Sequence, residues 1–386
     1  MNSRFKILLI HNSADIYGAS KSLLRLSRSL DTTRFELLVG LPHTGPLQEL
    51  LLQTGVRVII LPELRVITRQ VMKSFKMLPF LLDLPFSTRK LAKIIKKEGI
   101  DLVHTNTGVI LNSAAAAKLA GAKHIWHIRD WFGEFGAAWK PYSKYIAGFS
   151  DYVLCVSKAI ADQFPPSGRI QILPNGFPSE EFSVDRSKLR SKFRGKFQIG
   201  EALVIGVVGR IKFQRKGQEF LIQAAKILKD RGIAAKYLIV GTPSPGSEDH
   251  LSRLQSLIHE LGLQSDVIFT GELDDTKPAY AAMDISVLPS AQPEPFAGVN
   301  MEAMAMSLPV VATRIGGSPD QVLDGETGFL CNPGDPRDMA DKLEILCRDP
   351  DLRLKMGNAG MSRVFNEFSL EAMVRRIEAI YSKVLS

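Results

Sequence analysis

The sequence predicts an α/β chain built from two doubly wound parallel-sheet domains. Three observations lead there. The 386 residues exceed what one ordinary domain of about 150 residues holds. Short β-branched runs alternate with longer amphipathic stretches, the order expected of βαβ units around a parallel sheet. The alternation also starts afresh near the middle of the chain, at Ala202–Gly209 (ALVIGVVG), a buried-strand run closed by glycine.

In the first half the strand-like runs are 6–10, 35–39, 57–60, 102–104, 124–128, 152–156 and 170–173. Helical stretches fall between them, among them 19–30, 112–120 and 158–163. In the second half strand-like runs follow at 236–240, 267–269, 285–288 and 309–312, again with helical stretches between. The segment 183–198 (SVDRSKLRSKFRGKFQ) is polar and poor in large apolar residues, and the domain boundary is placed there: 1–185 and 186–368. The final stretch, 369–386, reads as an amphipathic helix packing back toward the N-terminal domain. Its stripe is Met373, Ile377, Ile380, Tyr381 and Val384. Two doubly wound sheets in one chain are expected to face a central cleft, where ligands gather.

Composition narrows the class. Apolar residues make up 45% and charged residues 23%, values of a globular chain. Cys155, Cys331 and Cys347 are too few and too far apart for a disulfide framework or a zinc site, which points to a reducing, cytoplasmic compartment. The start, MNSRFKILLI, has four consecutive apolar residues, too few for a signal-peptide core. It reads as a first buried strand. The formal charge of +9 is uneven: residues 1–185 hold 23 basic against 15 acidic side chains, and the remainder 26 against 25. An anionic partner is therefore expected for the first half.

Several motifs carry chemistry. Arg210 follows a strand, and Lys216-Gly217 opens a helical pattern. Two cations beside a helix N-terminus suit a phosphate, although solvated residues in an ordinary βα loop would look alike. Neither a Walker A loop nor G-x-G-x-x-G is present, which disfavours P-loop NTPases and typical NAD enzymes. In EPFAGVNME, Glu294 lies in a proline-bounded loop and Glu302 near the start of a helix over 300–306. A carboxylate there can accept both hydrogen bonds of a vicinal diol, and the amides of 296–299 can meet a phosphate or sugar. His127 lies near the end of the strand HIWHIRD. Asp349-Pro350-Asp351 and Asp274-Asp275 read as caps and turns, so no metal is expected.

Residues 65–97 hold nine Lys or Arg against Asp83 alone, interleaved with Phe75, Met77, Leu78, Phe80, Leu81, Leu82, Leu84 and Phe86. Arg89, Lys90, Lys93, Lys96 and Lys97 give a basic helix face. The pattern fits an element lying on anionic lipid, or a helix packed on its sheet with a solvated basic side.

In chain order VGRIKFQRKG, VGTPSP, VIFTGEL, YAAMDISVLPS, EPFAGVNMEAMAMSLPVVAT and GGSPDQVLDGETGFL resemble the retaining glycosyltransferases of family 4, of the GT-B fold. YGASKSLLRL, LVHTNTG, HIWHIRDW, VSKAI and LPNGF resemble the family's first half less tightly. The resemblance implies two Rossmann-like domains. It implies that Arg210 and Lys216 bind a donor diphosphate, that Glu302 holds ribose hydroxyls and that Glu294 contacts the donor sugar. Phe296, Ala297, Gly298 and Val299 would complete the phosphate and sugar site. His127 would reach the sugar, and Gly18 would lie near phosphates and acceptor. Three positions depart from the family: Ala297 for the usual Gly, Ala19 for the second Gly of the N-terminal loop, and Lys21 for a frequent Glu.

The resulting expectation is a retaining, metal-independent hexosyltransferase. It would move a sugar from a nucleotide-diphosphate sugar to a glycan or lipid-linked acceptor in cell-surface polysaccharide or glycolipid synthesis. It would work from the cytoplasm, peripherally on the inner membrane surface. The alternatives are a nucleotide-sugar epimerase of the same architecture and a non-enzymatic basic membrane or nucleic-acid binder. The +9 charge prompts the binder, but no recognised nucleic-acid motif accompanies it. Base, sugar, acceptor, linkage and oligomeric state are not encoded legibly.

Overall fold

The computed structural model describes residues 4–68, 71, 74, 75 and 77–386. It resolves the chain into two compact units, one of Met1–Gly176 with Leu370–Ser386 and one of Phe177–Ser369.

The first unit carries a seven-stranded, all-parallel sheet. Its strands are β1 (Phe5–Ile10), β2 (Phe35–Leu41), β3 (Arg57–Ile60), β4 (Leu102–Thr105), β5 (Lys123–Ile128), β6 (Tyr152–Cys155) and β7 (Ile170–Ile172), in the order β3-β2-β1-β4-β5-β6-β7. The strands are near-continuous apolar runs because helices cover both faces. Strand order reverses between β1 and β4. Outside their carboxyl ends is the place where such sheets bind ligands.

The helix Leu370–Leu385 returns to this unit. Met373, Val374, Ile377, Tyr381 and Val384 enter the core with Ile7, Leu9, Phe35 and Leu154. Each fully buried side chain of this size contributes about 1.5–3 kcal/mol. Ile380 is only partly buried. Glu378 accepts from the Asp31 amide at 2.8 Å, and the Tyr381 ring meets Phe35 edge-on at 5.6 Å.

The helix Met77–Glu98 has two regimes. Its second half buries Leu91, Ala92 and Ile95. Its first half leaves Leu78 66%, Leu82 73% and Phe86 58% exposed. Pro85 interrupts the backbone ladder, and Thr88 donates to the Leu84 carbonyl at 2.6 Å nearby. Of the basic residues expected in 65–97, Arg69, Lys73 and Lys76 lie outside the described residues.

The second unit carries a six-stranded parallel sheet in the order β10-β9-β8-β11-β12-β13. Its strands are β8 (Val204–Val208), β9 (Lys236–Val240), β10 (Val267–Gly271), β11 (Ile285–Leu288), β12 (Val310–Thr313) and β13 (Gly328–Cys331). Here the order reverses between β8 and β11.

The boundary lies at Gly176–Phe177, earlier than residue 185. The segment 183–198 is no linker: it holds the helix Arg186–Lys196, capped by Asp185. That helix is anchored by charge and hydrogen bonds, which hydropathy does not register. Arg190 and Arg194 both pair with Asp284, at 2.8 and 2.9 Å. Arg194 also donates to the carbonyls of Gly200, Ala202 and Ala282. At the crossing itself, a side chain on Gly176 would meet the Leu370 backbone. Strand β13 was absent from the sequence reading because GFLC is too short to show a period.

Candidate functional site

In the second unit the predicted donor residues gather at the β8/β11 reversal. The loop 209–217 leaves β8 and enters the helix Gln218–Asp230 through Gly217, whose φ is +74°. A Cβ there would fall 1.9 Å from the Pro289 carbonyl oxygen, so this close approach requires glycine. Buried Gln218 donates to the Arg210 carbonyl at 2.9 Å and accepts from the Lys212 amide at 3.4 Å. Buried Glu219 accepts from the Gln214 amide at 2.5 Å, and burial pushes its carboxyl above the ordinary value. These two side chains shape the loop from behind. Arg210 is exposed and Lys216 partly so.

Lys216 Nζ contacts Glu294 Oε1 at 2.7 Å, and Ser290 Oγ lies 3.4 Å from the same oxygen. Glu294 is fixed from its backbone. Its carbonyl accepts from the Gly317 amide at 2.8 Å, and Gly316, at φ +62°, packs directly against it. Glu302 lies on the helix Gly298–Ala305 and accepts from the Tyr280 hydroxyl at 3.0 Å. Burial, with the neighbouring Glu302 charge, holds the Tyr280 phenol well above its ordinary value. Phe296 and Ala297 are buried, whereas Gly298 is exposed. Ala297 has φ −77° and ψ 112°, an extended conformation open to any residue, so its methyl is accommodated. The Ala297 carbonyl accepts from Gln321, which in turn accepts from Asn300. The helix begins at Gly298, two residues ahead of the expected 300.

In the first unit Gly18 is the first residue of the helix Gly18–Ser29, with open space where a Cβ would stand. Ala19 and exposed Lys21 follow in ordinary helix. His127 is 0% exposed, so its ring presents no surface to a sugar in this arrangement. Its Nδ1 accepts from an Arg129 amino group at 3.2 Å, and the ring stacks on His104 at 5.5 Å. It lies inside because β5 is covered on both faces, whereas Arg129, just past the strand's end, is partly buried. Burial, then Arg129, then His104 hold the His127 imidazole well below its ordinary value.

Several residues were not singled out from sequence. Arg129 donates Nε–H to Asn106 Oδ1 at 3.0 Å and also donates to Asn175 Oδ1. Asn106 lies 3.3 Å from His11 Nδ1, and His11 Nε2 lies 3.1 Å from Ser20 Oγ. Tyr381 reaches His104 Nδ1 at 2.5 Å. The signal was present in LVHTNTG and HIRD, where Asn106 and Arg129 directly follow a strand, and in LPNGF, where Asn175 comes three residues after one.

Among the described residues, no group of three or more His, Cys, Asp or Glu side chains is arranged to hold a metal ion. No described helix is long and apolar enough to cross a membrane.

Comparison with known proteins gives a consistent family. Residues 16–181 match the family model "Glycosyltransferase Family 4" and residues 190–363 match "Glycosyl transferases group 1". The chain is 33% identical over 232 residues to the capsular polysaccharide biosynthesis glycosyltransferase CapM of Staphylococcus aureus, covering 59% of each. It is 31% identical over 240 residues to the N-acetyl-alpha-D-glucosaminyl L-malate synthase of Bacillus anthracis, covering 61% of this chain and 60% of that one. The chain therefore aligns with less than two thirds of these relatives' length. In fold it is similar to Anabaena Alr3699/HepE, solved in complex with UDP, with a TM-score of 0.82, 24% identity, and coverage of 98% of this chain and 100% of that one. With two parallel-sheet units and both halves matched, the chain belongs to the family 4 glycosyltransferases of the two-domain, Rossmann-like GT-B fold.

Proposed function

We propose that this protein is a retaining hexosyltransferase that moves a sugar from a nucleotide-diphosphate sugar to a glycan or lipid-linked hydroxyl. The observation carrying this is the convergence of Arg210, Lys216, Glu294 and Glu302 at the β8/β11 reversal of the second unit. The relatives named above, and the UDP held by the Anabaena protein, support a nucleotide-sugar donor.

In this reading the bond from the anomeric carbon to the β-phosphate oxygen breaks as a new bond to the acceptor oxygen forms on the same face. The acceptor's proton passes to the leaving phosphate, giving a nucleoside diphosphate. Charge grows on the diphosphate as the bond breaks, and Arg210, Lys216 and the N-terminus of the helix Gln218–Asp230 stabilise it without a metal. Glu302 accepts from the ribose hydroxyls. Glu294 orders the sugar through its ring hydroxyls. The backbone of Phe296, Ala297, Gly298 and Val299 lines the phosphate and sugar. Gly18, bare of side chain, leaves room beside the phosphates and acceptor. His127 acts through Arg129, whose guanidinium it helps to orient.

The protein works peripherally on the cytoplasmic membrane face, through residues 65–97. The exposed Leu78, Leu82 and Phe86 beside Arg89, Lys90 and Lys93 support this. Each basic residue near an anionic surface contributes about 1 kcal/mol. The role is cell-surface polysaccharide or glycolipid synthesis.

The direct experiment follows turnover of nucleotide sugars with a lipid-linked glycan acceptor and assigns the product anomer by NMR. An α-linked product from an α-linked donor is expected. An inverted anomer, or donor conversion that needs no acceptor, overturns the reading. For the membrane element, sedimentation with phosphatidylglycerol vesicles should exceed that with phosphatidylcholine vesicles and fall when Leu82 and Phe86 are changed to Ser. Equal sedimentation would remove that part.

A further inference from the structure

Just past the carboxyl end of β5, one strand beyond the β1/β4 reversal of the first unit, lies a cation whose hydrogen-bond partners are all neutral. Arg129 is partly buried. It donates to Asn106 Oδ1, Asn175 Oδ1 and His127 Nδ1. Three of its five N–H groups are thereby directed, leaving two for a ligand. Among the described residues no carboxylate lies within ion-pair distance of it. Asp130, next in sequence, turns Oδ2 to the Thr107 hydroxyl at 2.9 Å and the Gly108 amide at 2.7 Å.

A guanidinium largely withdrawn from water, with no hydrogen-bonded carboxylate and only the nearby Asp130 charge to favour its ionised form, is costly to keep charged. Here the protein spends two amides and an imidazole to hold it in one orientation. The scaffolding extends backward through Asn106 to His11, and from His11 to Ser20 of the helix Gly18–Ser29. It also extends from His127 to His104 and Tyr381. Such ordering preorganises a planar fork suited to a carboxylate or phosphate. The position, outside the carboxyl ends of β4 and β5 and next to the β1/β4 reversal, is on the edge where a doubly wound sheet binds ligands. Burial lowers the Arg129 guanidinium to about 10, still charged at neutral pH, while the imidazoles behind it are held neutral.

We propose that Arg129, braced by Asn106, Asn175 and His127, forms an oxyanion-binding subsite of the first unit that takes a phosphate group of a substrate. The existence of the subsite does not depend on the transfer reaction. The phosphate comes either from a phosphorylated acceptor or from the donor itself.

The test titrates inorganic phosphate at constant ionic strength into the full chain bearing Arg210→Gln and Lys216→Gln, so that the second unit's cations do not report. Thermal stabilisation should saturate, and Arg129→Gln should weaken it at least tenfold. Because Arg129→Gln risks disturbing the fold, Asn175→Asp is the second variant. It keeps the accepting oxygen and Arg129 but supplies an internal counter-charge, so it should weaken phosphate tenfold while leaving the melting temperature of the phosphate-free protein equal or higher. No saturable phosphate response in the starting variant, or a response in Asn175→Asp within twofold of it, overturns the proposal. UDP binding on the otherwise wild-type chain separates the sources. Weakening by Asn175→Asp assigns the phosphate to the donor, and unchanged UDP with lost phosphate assigns it to the acceptor. Loss of the donor site shows separately, as UDP binding indifferent to Arg210→Gln and Lys216→Gln.

Discussion

Lys216 and Glu294 form an ion pair, 2.7 Å from Nζ to Oε1, with both side chains partly exposed to solvent. One residue enters from the loop after β8 and the other from the loop after β11. The pair ties together the cation proposed for the diphosphate and the carboxylate proposed for the sugar. Replacing Lys216 by Ala should lower kcat by 10²–10³, the usual cost of one charge-stabilising group. Glu294→Gln should act mainly on the same step, and the double variant should lose less than the sum of the two, because each removes the other's partner. Steady-state kinetics on all four proteins measures the coupling; strict additivity would show that the pair does not work as a unit.

The Tyr280 hydroxyl orients Glu302 from a fully buried position. Tyr280→Phe removes that bond and the longer 3.4 Å contact of the same hydroxyl with the Val299 carbonyl. It should cost about 1 kcal/mol of stability and raise KM for the donor several-fold with kcat nearly unchanged. A drop in kcat at constant KM would place the effect in the chemical step instead.

Gly316 allows the loop carrying Glu294 to lie flush against its neighbour. An alanine Cβ would fall 2.3 Å from the Glu294 carbonyl oxygen, at a φ of +62°. Gly316→Ala should therefore cost more than about 1–2 kcal/mol and displace Glu294 as well. Gly298, with open space at its Cβ position, is the control: Gly298→Ala should leave the melting temperature within a degree or two.

Four buried histidines make the first unit acid-sensitive. Burial drives His11, His104 and His124 down to about 3, and His127 well below its ordinary value. A group whose folded value is depressed stays neutral in the fold but takes a proton on unfolding once the pH falls below about 6.5. The unfolded chain then binds more protons, so stability is complete above pH 6.5 and declines from there toward pH 3. At pH 5 the loss is of order 1–2 kcal/mol per histidine. The His124 ring bonds the hydroxyls of Thr105 and Ser150, so His124→Gln should flatten the decline of melting temperature between pH 7 and 5. An unchanged slope would assign the acid sensitivity elsewhere.

The sheets were readable from sequence because parallel strands buried on both faces write themselves as continuous apolar runs such as ALVIGVVG. The donor loops were readable because VGRIKFQRKG and EPFAGVNME resemble the family 4 glycosyltransferases; the spacing of Arg210, Lys216, Glu294 and Glu302 alone also suits ordinary βα loops. The helix Arg186–Lys196 was not, because its attachment is three arginines on carbonyls and Asp284, and hydropathy reads that as linker. His127 was expected to reach the sugar, and its ring is buried. Arg129 lies two residues on, just past the end of β5, and the sequence pattern does not say which of the two polar residues the covering helices leave open. The Arg129 network draws on residues up to 370 positions apart in the chain, from His11 to Tyr381, and only the folded sheet brings them together.

The central claim is that the second unit binds a nucleoside diphosphate through Arg210, Lys216 and Glu302. Thermal stability of the wild type and of Glu302→Ala, measured against UDP, GDP, ADP and their common sugar conjugates, tests it most directly. A ligand at 100 times its dissociation constant should add about 2.7 kcal/mol. The account predicts stabilisation by one of these nucleotides in the wild type and its loss in Glu302→Ala; stabilisation by none of them, or an equal shift in the variant, would contradict it.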